Sequence, residues 1–213
     1  MSAVIIEPEL MNGKSHWSDS TDAIKLDFGQ SLKKMSDDEF FDFCQRHKDL
    51  RIERTKEGDI IIMSPTGSET SGYNFELNTS FGIWTRQDGT GKGFESSAGF
   101  ILPNGAERSP DLAWIRWERW NALPKPQRKK FAPICPDFVV EIRSESDSLK
   151  KLKSKMEEYI ENGAQLGWLI DPTKKKVYVY HPNAEMEVLD NPKEVSGGPL
   201  LKGFVLKMKE IWE

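Results

Sequence analysis

Apolar residues recur at helical spacing in two long stretches of the chain. The first predicts a helix from residue 68 to about residue 86, with Leu77, Phe81 and Trp84 on one side. The second predicts a helix from about residue 147 to 162, which Gly163 ends. The apolar stripe of this second helix comprises Leu149, Leu152, Met156, Tyr159 and Ile160. A capping box at residues 36–39 predicts a third, shorter helix.

Short apolar segments with strand-like composition follow the first long helix. They predict core strands at residues 94–102, 111–116, 137–143 and 167–171. Hairpins are predicted from residues 51–54 with 59–63, and from residues 177–180 with 186–189. The glycines at 89, 91 and 93 predict a turn-rich link, without the strand-to-helix setting of a phosphate-binding loop. The core order is αβββαβ, which favours an α/β (α+β) fold with an open mixed sheet flanked by helices.

Composition limits the class of protein. A chain of 213 residues with 37% hydrophobic and 30% charged residues is long enough for one sizeable core. Residues 1–30 are polar and poorly periodic, so we expect a poorly ordered arm followed by a single domain at residues 31–213. The chain has no apolar run near the ~18 residues of a membrane span, and its start does not resemble a secretory signal. We therefore expect a soluble, cytoplasmic protein.

Cysteine, histidine and net charge exclude several kinds of site. Cys44 and Cys135 are far apart and predict neither a disulfide framework nor a structural zinc site, and the three histidines are equally scattered. A formal net charge of −4 argues against a wholly electrostatic nucleic-acid binder. A local basic surface remains compatible with that charge. Four lysines lie close together soon after residue 141, namely Lys150, Lys151, Lys153 and Lys155.

Two acidic residues on predicted strands carry the main functional signal. Asp111 and Glu141 each lie on a short apolar strand, where an acid is costly unless it is paired or holds a metal. Each acid alone could simply cap a backbone amide. Asp137 shares a strand face with Glu141, but four residues along a strand span roughly 13 Å, too far for one small cation. A second strand has to supply the partner, and Asp111 is the best candidate.

At these residues the chain resembles the PD-(D/E)xK nuclease superfamily, which has the restriction-endonuclease-like fold. The resemblance rests on Pro110-Asp111, followed by Glu141-Ile142-Arg143, in the αβββαβ order. A longer ordered series of segments is similar to the Uma-type family, whose members are classed as restriction endonucleases, over about residues 36–180. These segments are MSPTG at 63–67, RSPD at 108–111, PDFVVEIRS at 136–144, KMEEY at 155–159 and WLIDP at 168–172.

The resemblance implies a metal site and a catalytic cation. Asp111 and Glu141, with the backbone carbonyl of Ile142, would hold Mg²⁺ or Mn²⁺. The superfamily usually has lysine two residues after the acid, whereas this chain has Arg143, which cannot lose its proton but could contact a phosphate. In Uma-type proteins the lysine has moved to the next helix, and the matching residue is Lys155. Lys153 borders the other edge of the same apolar stripe, so spacing alone leaves both lysines open.

Further candidates carry weaker signals. The helix before the strands often supplies another acid in this family, which makes Glu69 a candidate, although the helix dipole alone would favour an acid there. Glu76 is interpreted as a surface residue of that helix. Trp114, Trp117 and Trp120 could form a base-stacking platform, but packing is the commoner use of such residues and is preferred here.

The resulting hypothesis is a Mg²⁺-dependent DNA endonuclease. Its partner would be DNA, and a homodimer is a further hypothesis because two-fold symmetry suits the cutting of both strands. The main alternative is a catalytically silent nucleic-acid-binding or regulatory module that kept the nuclease fold. A second alternative is a metal-dependent hydrolase that acts on another phosphodiester.

Overall fold

The computed structural model describes residues 23–26 and 35–212 of the chain. The predicted N-terminal arm lies outside the described residues except for its strand at Ala23–Leu26. The strands are β1 Ala23–Leu26, β2 Arg51–Arg54, β3 Ile60–Met63, β4 Gly91–Glu95, β5 Phe100–Ile101, β6 Glu107–Arg108, β7 Leu112–Arg116, β8 Phe138–Ile142, β9 Leu166–Asp171, β10 Lys176–Tyr180, β11 Glu187–Asp190, β12 Glu194–Ser196 and β13 Val205–Lys207. The α-helices are α1 Asp37–Arg46, α2 Ser68–Asp88, α3 Trp117–Ala122, α4 Leu149–Glu161 and α5 Lys209–Trp212.

The central sheet has six strands in the order β11-β10-β9-β8-β7-β4. Strands β8 and β9 pair in parallel and are connected through α4, whereas the other neighbouring pairs are antiparallel. This arrangement confirms the predicted mixed sheet and the αβββαβ order, formed here by α2, β4, β7, β8, α4 and β9.

A second sheet of five strands has the order β1-β3-β2-β6-β5. The predicted hairpin of residues 51–63 forms its β2 and β3. Through β6, this sheet runs directly into the chain that enters β7, because only Ser109, Pro110 and Asp111 separate the two strands. The second sheet therefore lies next to the start of β7 and the end of β8, where the two candidate acids are found.

Side chains of β8 alternate between the two faces of the central sheet, as the strand period predicts. Phe138 and Val140 belong to a core that includes Leu77 and Phe81 of α2. Val139 belongs to the opposite core, which α4 forms with residues such as Met156 and Tyr159. Glu141 faces the α4 side, because its carboxylate accepts a hydrogen bond from the Tyr159 hydroxyl at 3.0 Å.

The prediction around residues 89–102 was wrong in detail. Gly91–Glu95 is a strand instead of a turn-rich link, and the predicted strand of residues 94–102 is interrupted after β4. A turn breaks it, in which the Ser97 amide donates to the Glu95 carboxylate at 3.1 Å. Glycine is required at position 91 because a Cβ there would collide with the indole of Trp114.

The tryptophans confirm the packing interpretation in two of three positions. Trp114 and Trp120 are buried in the core, whereas Trp117 is 38% exposed. Cys44 and Cys135 are both free thiols.

Candidate active site

Asp111 and Glu141 face each other across two paired strands. Leu112 of β7 pairs with Val140 of β8 in antiparallel register, which places the preceding Asp111 beside Glu141. One oxygen of Asp111 accepts a hydrogen bond from the Ile142 amide at 2.8 Å. Both acids are buried. The structure therefore brings together the two acids that the sequence singled out, and Asp111 also caps a backbone amide, as the alternative interpretation expected.

Lys155 reaches this pair of acids from helix α4. Its Nζ lies 2.8 Å from Oε1 of Glu141 and 2.9 Å from Oε1 of Glu53. Lys153 instead lies over the ring of Tyr178, with its Nζ 4.2 Å from the ring centroid. The structure thus separates the two lysines that helical spacing left open, and only Lys155 contacts the acids.

Glu53 and Arg51 complete the cluster, and sequence reasoning missed both. They project from the same side of β2, while Ile52 between them belongs to the small core under α1. The two terminal nitrogens of the Arg51 guanidinium group, Nη1 and Nη2, each lie 3.2 Å from Oδ1 of Asp111. The available signal was the alternation of charged and apolar residues in a strand, which marks Arg51 and Glu53 as sharing a face but does not say what they meet.

Glu53 is held by three donors. Besides Lys155, it accepts a hydrogen bond from the Ser109 amide at 2.9 Å and pairs with Nη1 of Arg108 at 3.3 Å. Arg108 in turn donates from Nε to Glu158 of α4 at 2.6 Å. The second sheet, the entry to β7 and helix α4 are therefore joined through one carboxylate.

The buried charges affect one another's protonation. Burial raises the pKa of Glu141, and the charges of Asp111 and Glu53 add to this rise, although Lys155 opposes it. Burial alone would lower the pKa of Lys155, but Glu141 and Glu53 raise it overall. Burial would also raise the pKa of Glu53, but Lys155, Arg108 and the Ser109 amide lower it. The charged forms of Glu53 and Lys155 are therefore favoured, whereas the surroundings of Glu141 favour its protonated form.

The cluster can accommodate an additional positive charge. The joined side chains include one more carboxylate than cation. The carboxylates are Glu53, Asp111, Glu141 and Glu158, and the cations are Arg51, Arg108 and Lys155. In the described part of the chain, no group of three or more His, Cys, Asp or Glu side chains is arranged to hold one metal ion. Two carboxylates and the Ile142 carbonyl would therefore need water to complete the coordination of a divalent cation.

A cavity of about 140 Å³ opens onto the candidate acids. Its walls include Asp111, Glu141, Ile142 and Lys155. The loop of residues 63–67, which precedes α2, forms another wall, and so do hydroxyl residues after β8. A larger depression of about 810 Å³ lies elsewhere, along α2 and α5. We assign the site to the smaller cavity because it contains the buried charges, whereas the larger one is lined mainly by surface residues of these two helices.

Three sequence candidates lie outside this cavity. Glu69 is exposed and lines the larger depression on α2. Arg143 donates to Asp171 at 2.8 Å and to the backbone oxygen of Asp147 at 3.1 Å, so it does not contact the two acids. Asp137 pairs with Arg119 at 3.0 Å and accepts the amide of Arg116, which agrees with its exclusion as a metal partner of Glu141.

Comparisons with known proteins place the chain in a family. The Uma2 family model, described as "Putative restriction endonuclease", matches residues 37–209. This chain belongs to the Uma2 family. The match covers most of the chain and confirms the resemblance predicted from its motifs. Among curated proteins, none matches the chain.

A solved structure supports the fold of this Uma2 protein. The chain is similar to a crystal structure described as a "putative nuclease belonging to DUF820" from Anabaena variabilis, with a TM-score of 0.67. The two are 23% identical, and the similarity covers 84% of this chain and 97% of the other. A likeness at 23% identity bears on the fold alone, and it confirms the predicted restriction-endonuclease-like fold.

Among the helices that the structure describes, none combines the length and the apolar character needed to span a membrane.

Proposed function

We propose that this Uma2 protein is a metal-dependent endonuclease that hydrolyses phosphodiester bonds in DNA. The observation that carries the proposal is the convergence of Asp111, Glu141 and Lys155 on one cavity from three elements of a nuclease fold. Two buried acids could hold a divalent cation, and the ammonium group beside them could stabilise charge that develops on a phosphate. Family membership supports a nuclease, while the metal and the DNA substrate are our inference.

Asp111 and Glu141, with the Ile142 carbonyl and water, would hold Mg²⁺ or Mn²⁺. When bound, such a cation polarises the scissile phosphate and lowers the pKa of the attacking water. Lys155 remains protonated beside the acids, so we assign it to orienting that water or stabilising the charge that develops on the phosphate. Arg143 is held by Asp171 and by the backbone oxygen of Asp147 and does not contact the two acids, so we give it a secondary role.

The surroundings of the cavity suit a polyanionic substrate. Ser144, Ser146 and Asp147 line it, shortly before helix α4 begins. The second residue of α4, Lys150, is exposed. Positive charge at this end of α4 would attract the DNA backbone in spite of the chain's net negative charge. We retain the homodimer as part of the proposal, because two copies of the site would suit the cutting of both strands.

The test is cleavage by the purified protein of supercoiled plasmid, linear duplex and single strands, with Mg²⁺, Mn²⁺ or chelator. We expect cleavage that requires the metal and that is lost in Asp111→Asn and Glu141→Gln. Asp137→Asn is the matched control, since Asp137 is a buried acid beside the same strand but pairs with Arg119 outside the cavity. A parent protein that cuts nothing with any metal, yet binds nucleic acid in a salt-dependent way, would establish the silent-module alternative instead.

A further inference from the structure

Glu53 is a buried acid that belongs to a different sheet from the two candidate metal ligands. It lies on β2 and is 3% exposed, yet its Oε1 is 2.9 Å from the ammonium of Lys155, a residue 102 positions later in the chain. A buried acid is costly unless donors compensate its charge, and Glu53 has three such donors.

The contacts of Glu53 fix its carboxylate in one orientation. Oε1 accepts the Ser109 amide as well as Lys155, and Oε2 faces Arg108. Charge-assisted hydrogen bonds of this kind are short and directional. Glu53 therefore presents a fixed negative charge to Lys155, from a position that the backbone of the entry to β7 sets.

Lys155 has two carboxylate partners, and they differ in what else they do. Glu141 is the acid that we assign to the metal, and its remaining hydrogen bond is to the hydroxyl of Tyr159. A lysine paired with Glu141 alone would compete with the cation for that carboxylate. A second acid that takes no part in metal binding can keep the ammonium in place after Glu141 has engaged a cation.

We propose that Glu53 is a positioning residue, which holds the ammonium of Lys155 in the cavity so that Glu141 is free to bind the metal. This inference rests on the proposed function. It extends that function by adding a residue of the second sheet to the catalytic arrangement, through Lys155 and without direct contact with substrate.

A purely structural ion pair between two parts of the fold is the competing interpretation, and the chain offers a matched control for it. Glu107 is also buried in the second sheet and pairs with Arg54 of β2 at 3.1 Å. It contributes to the same sheet without contacting Lys155. Glu107→Gln should therefore show what the loss of a buried acid in this sheet does by itself.

The first measurement is a double-mutant cycle on the unfolding of the metal-free protein, with Glu53→Gln, Lys155→Met and the double variant. The unfolding equilibrium constant of the double variant should differ roughly tenfold from the value expected if the two effects were independent. The corresponding cycle with Glu107→Gln should show independence. Independence in the Glu53 cycle as well would overturn the proposed contact.

The second measurement is cleavage kinetics together with a metal titration. Glu53→Gln should lower kcat by roughly tenfold or more and change KM little, because a displaced ammonium affects mainly the transition state. Its affinity for Mn²⁺, measured by calorimetry, should fall, because Lys155 then pairs with Glu141 alone and competes with the cation. The double variant Glu53→Gln/Lys155→Met removes that competition and should bind Mn²⁺ more tightly than Glu53→Gln, whereas Glu141→Gln should lose the affinity. Glu53→Asp keeps the charge on a shorter side chain and should restore part of kcat; it also replaces Glu53→Gln if that variant fails to fold.

The outcomes separate this inference from the function on which it rests. An unchanged kcat in Glu53→Gln, with coupling to Lys155 present, would reduce Glu53 to a structural ion pair. A metal affinity that stays as low in Glu53→Gln/Lys155→Met as in Glu53→Gln would make Glu53 a ligand and overturn the positioning role. A parent protein that cleaves no substrate would overturn the proposed function itself, and with it the catalytic meaning of Glu53, whatever the coupling measured in the unfolding cycle.

Discussion

Replacing Lys155 by methionine should destabilise the protein strongly, and more at alkaline than at acidic pH. The change keeps the volume of the side chain but removes an ammonium that lies 2.8 Å from Glu141 and 2.9 Å from Glu53. Removing one partner of a buried ion pair costs about 3–5 kcal/mol, since the remaining charge is left uncompensated. The lower end of this range is expected here, because Glu53 keeps Arg108 and Glu141 keeps the Tyr159 hydroxyl.

The pH dependence follows from Glu141. Its pKa in the folded protein is already raised above the ordinary value, and loss of Lys155 removes the main influence that lowers it. A carboxyl whose folded pKa exceeds its unfolded pKa contributes stability at low pH and loses that contribution as pH rises through the folded pKa. The difference in unfolding free energy between Lys155→Met and the parent should therefore be larger at pH 8 than at pH 5.

Urea denaturation of the metal-free proteins at both pH values measures this difference. Lys153→Met is the matched control, because Lys153 is on the same helix and its ammonium lies over the ring of Tyr178, away from the buried acids. Its loss should cost about 0.5–1 kcal/mol at either pH. Equal destabilisation by the two substitutions at pH 8 would refute the placement of Lys155 between two buried acids.

Other predictions concern metal binding and a second buried acid. Mn²⁺ or Mg²⁺ should raise the melting temperature of the parent and of Asp137→Ala. It should not raise that of Asp111→Ala or Glu141→Ala, because each of these two variants lacks a proposed ligand. Equal shifts in all four proteins would reject the metal site. Burial raises the pKa of Glu107 to about 8 from 4.5, although Arg54 opposes the rise, so stability should fall between these pH values as Glu107 ionises. Glu107→Gln should remove the part of this dependence that Glu107 contributes and leave the part from Glu141; a pH dependence as steep as the parent's would contradict the prediction.

Local patterns in the sequence predicted the long helices, most strands of the central sheet and the pairing of the two acids. The spacing of Leu77 and Phe81 was enough to predict α2, and the period of two along β8 was enough to place Glu141 on the face opposite Val140. The same period excluded Asp137 as its partner and required an acid from another strand. These inferences succeed because helix and strand geometry relates residues that are close in sequence.

Only the tertiary structure decided which charged residues join those acids. Helical periodicity placed Lys153 and Lys155 on opposite edges of one stripe, and the family resemblance pointed to Lys155. The packing of α4 brings Lys155 into contact with Glu141 and Glu53. Glu53 could not be predicted, because its contact with Lys155 spans 102 positions and depends on how one sheet meets the other. Arg143 is close to Glu141 in sequence, but it pairs with the buried Asp171 at the end of β9. Periodicity specifies the face on which a side chain lies, whereas the partner it meets there depends on the relative placement of elements that are distant in sequence.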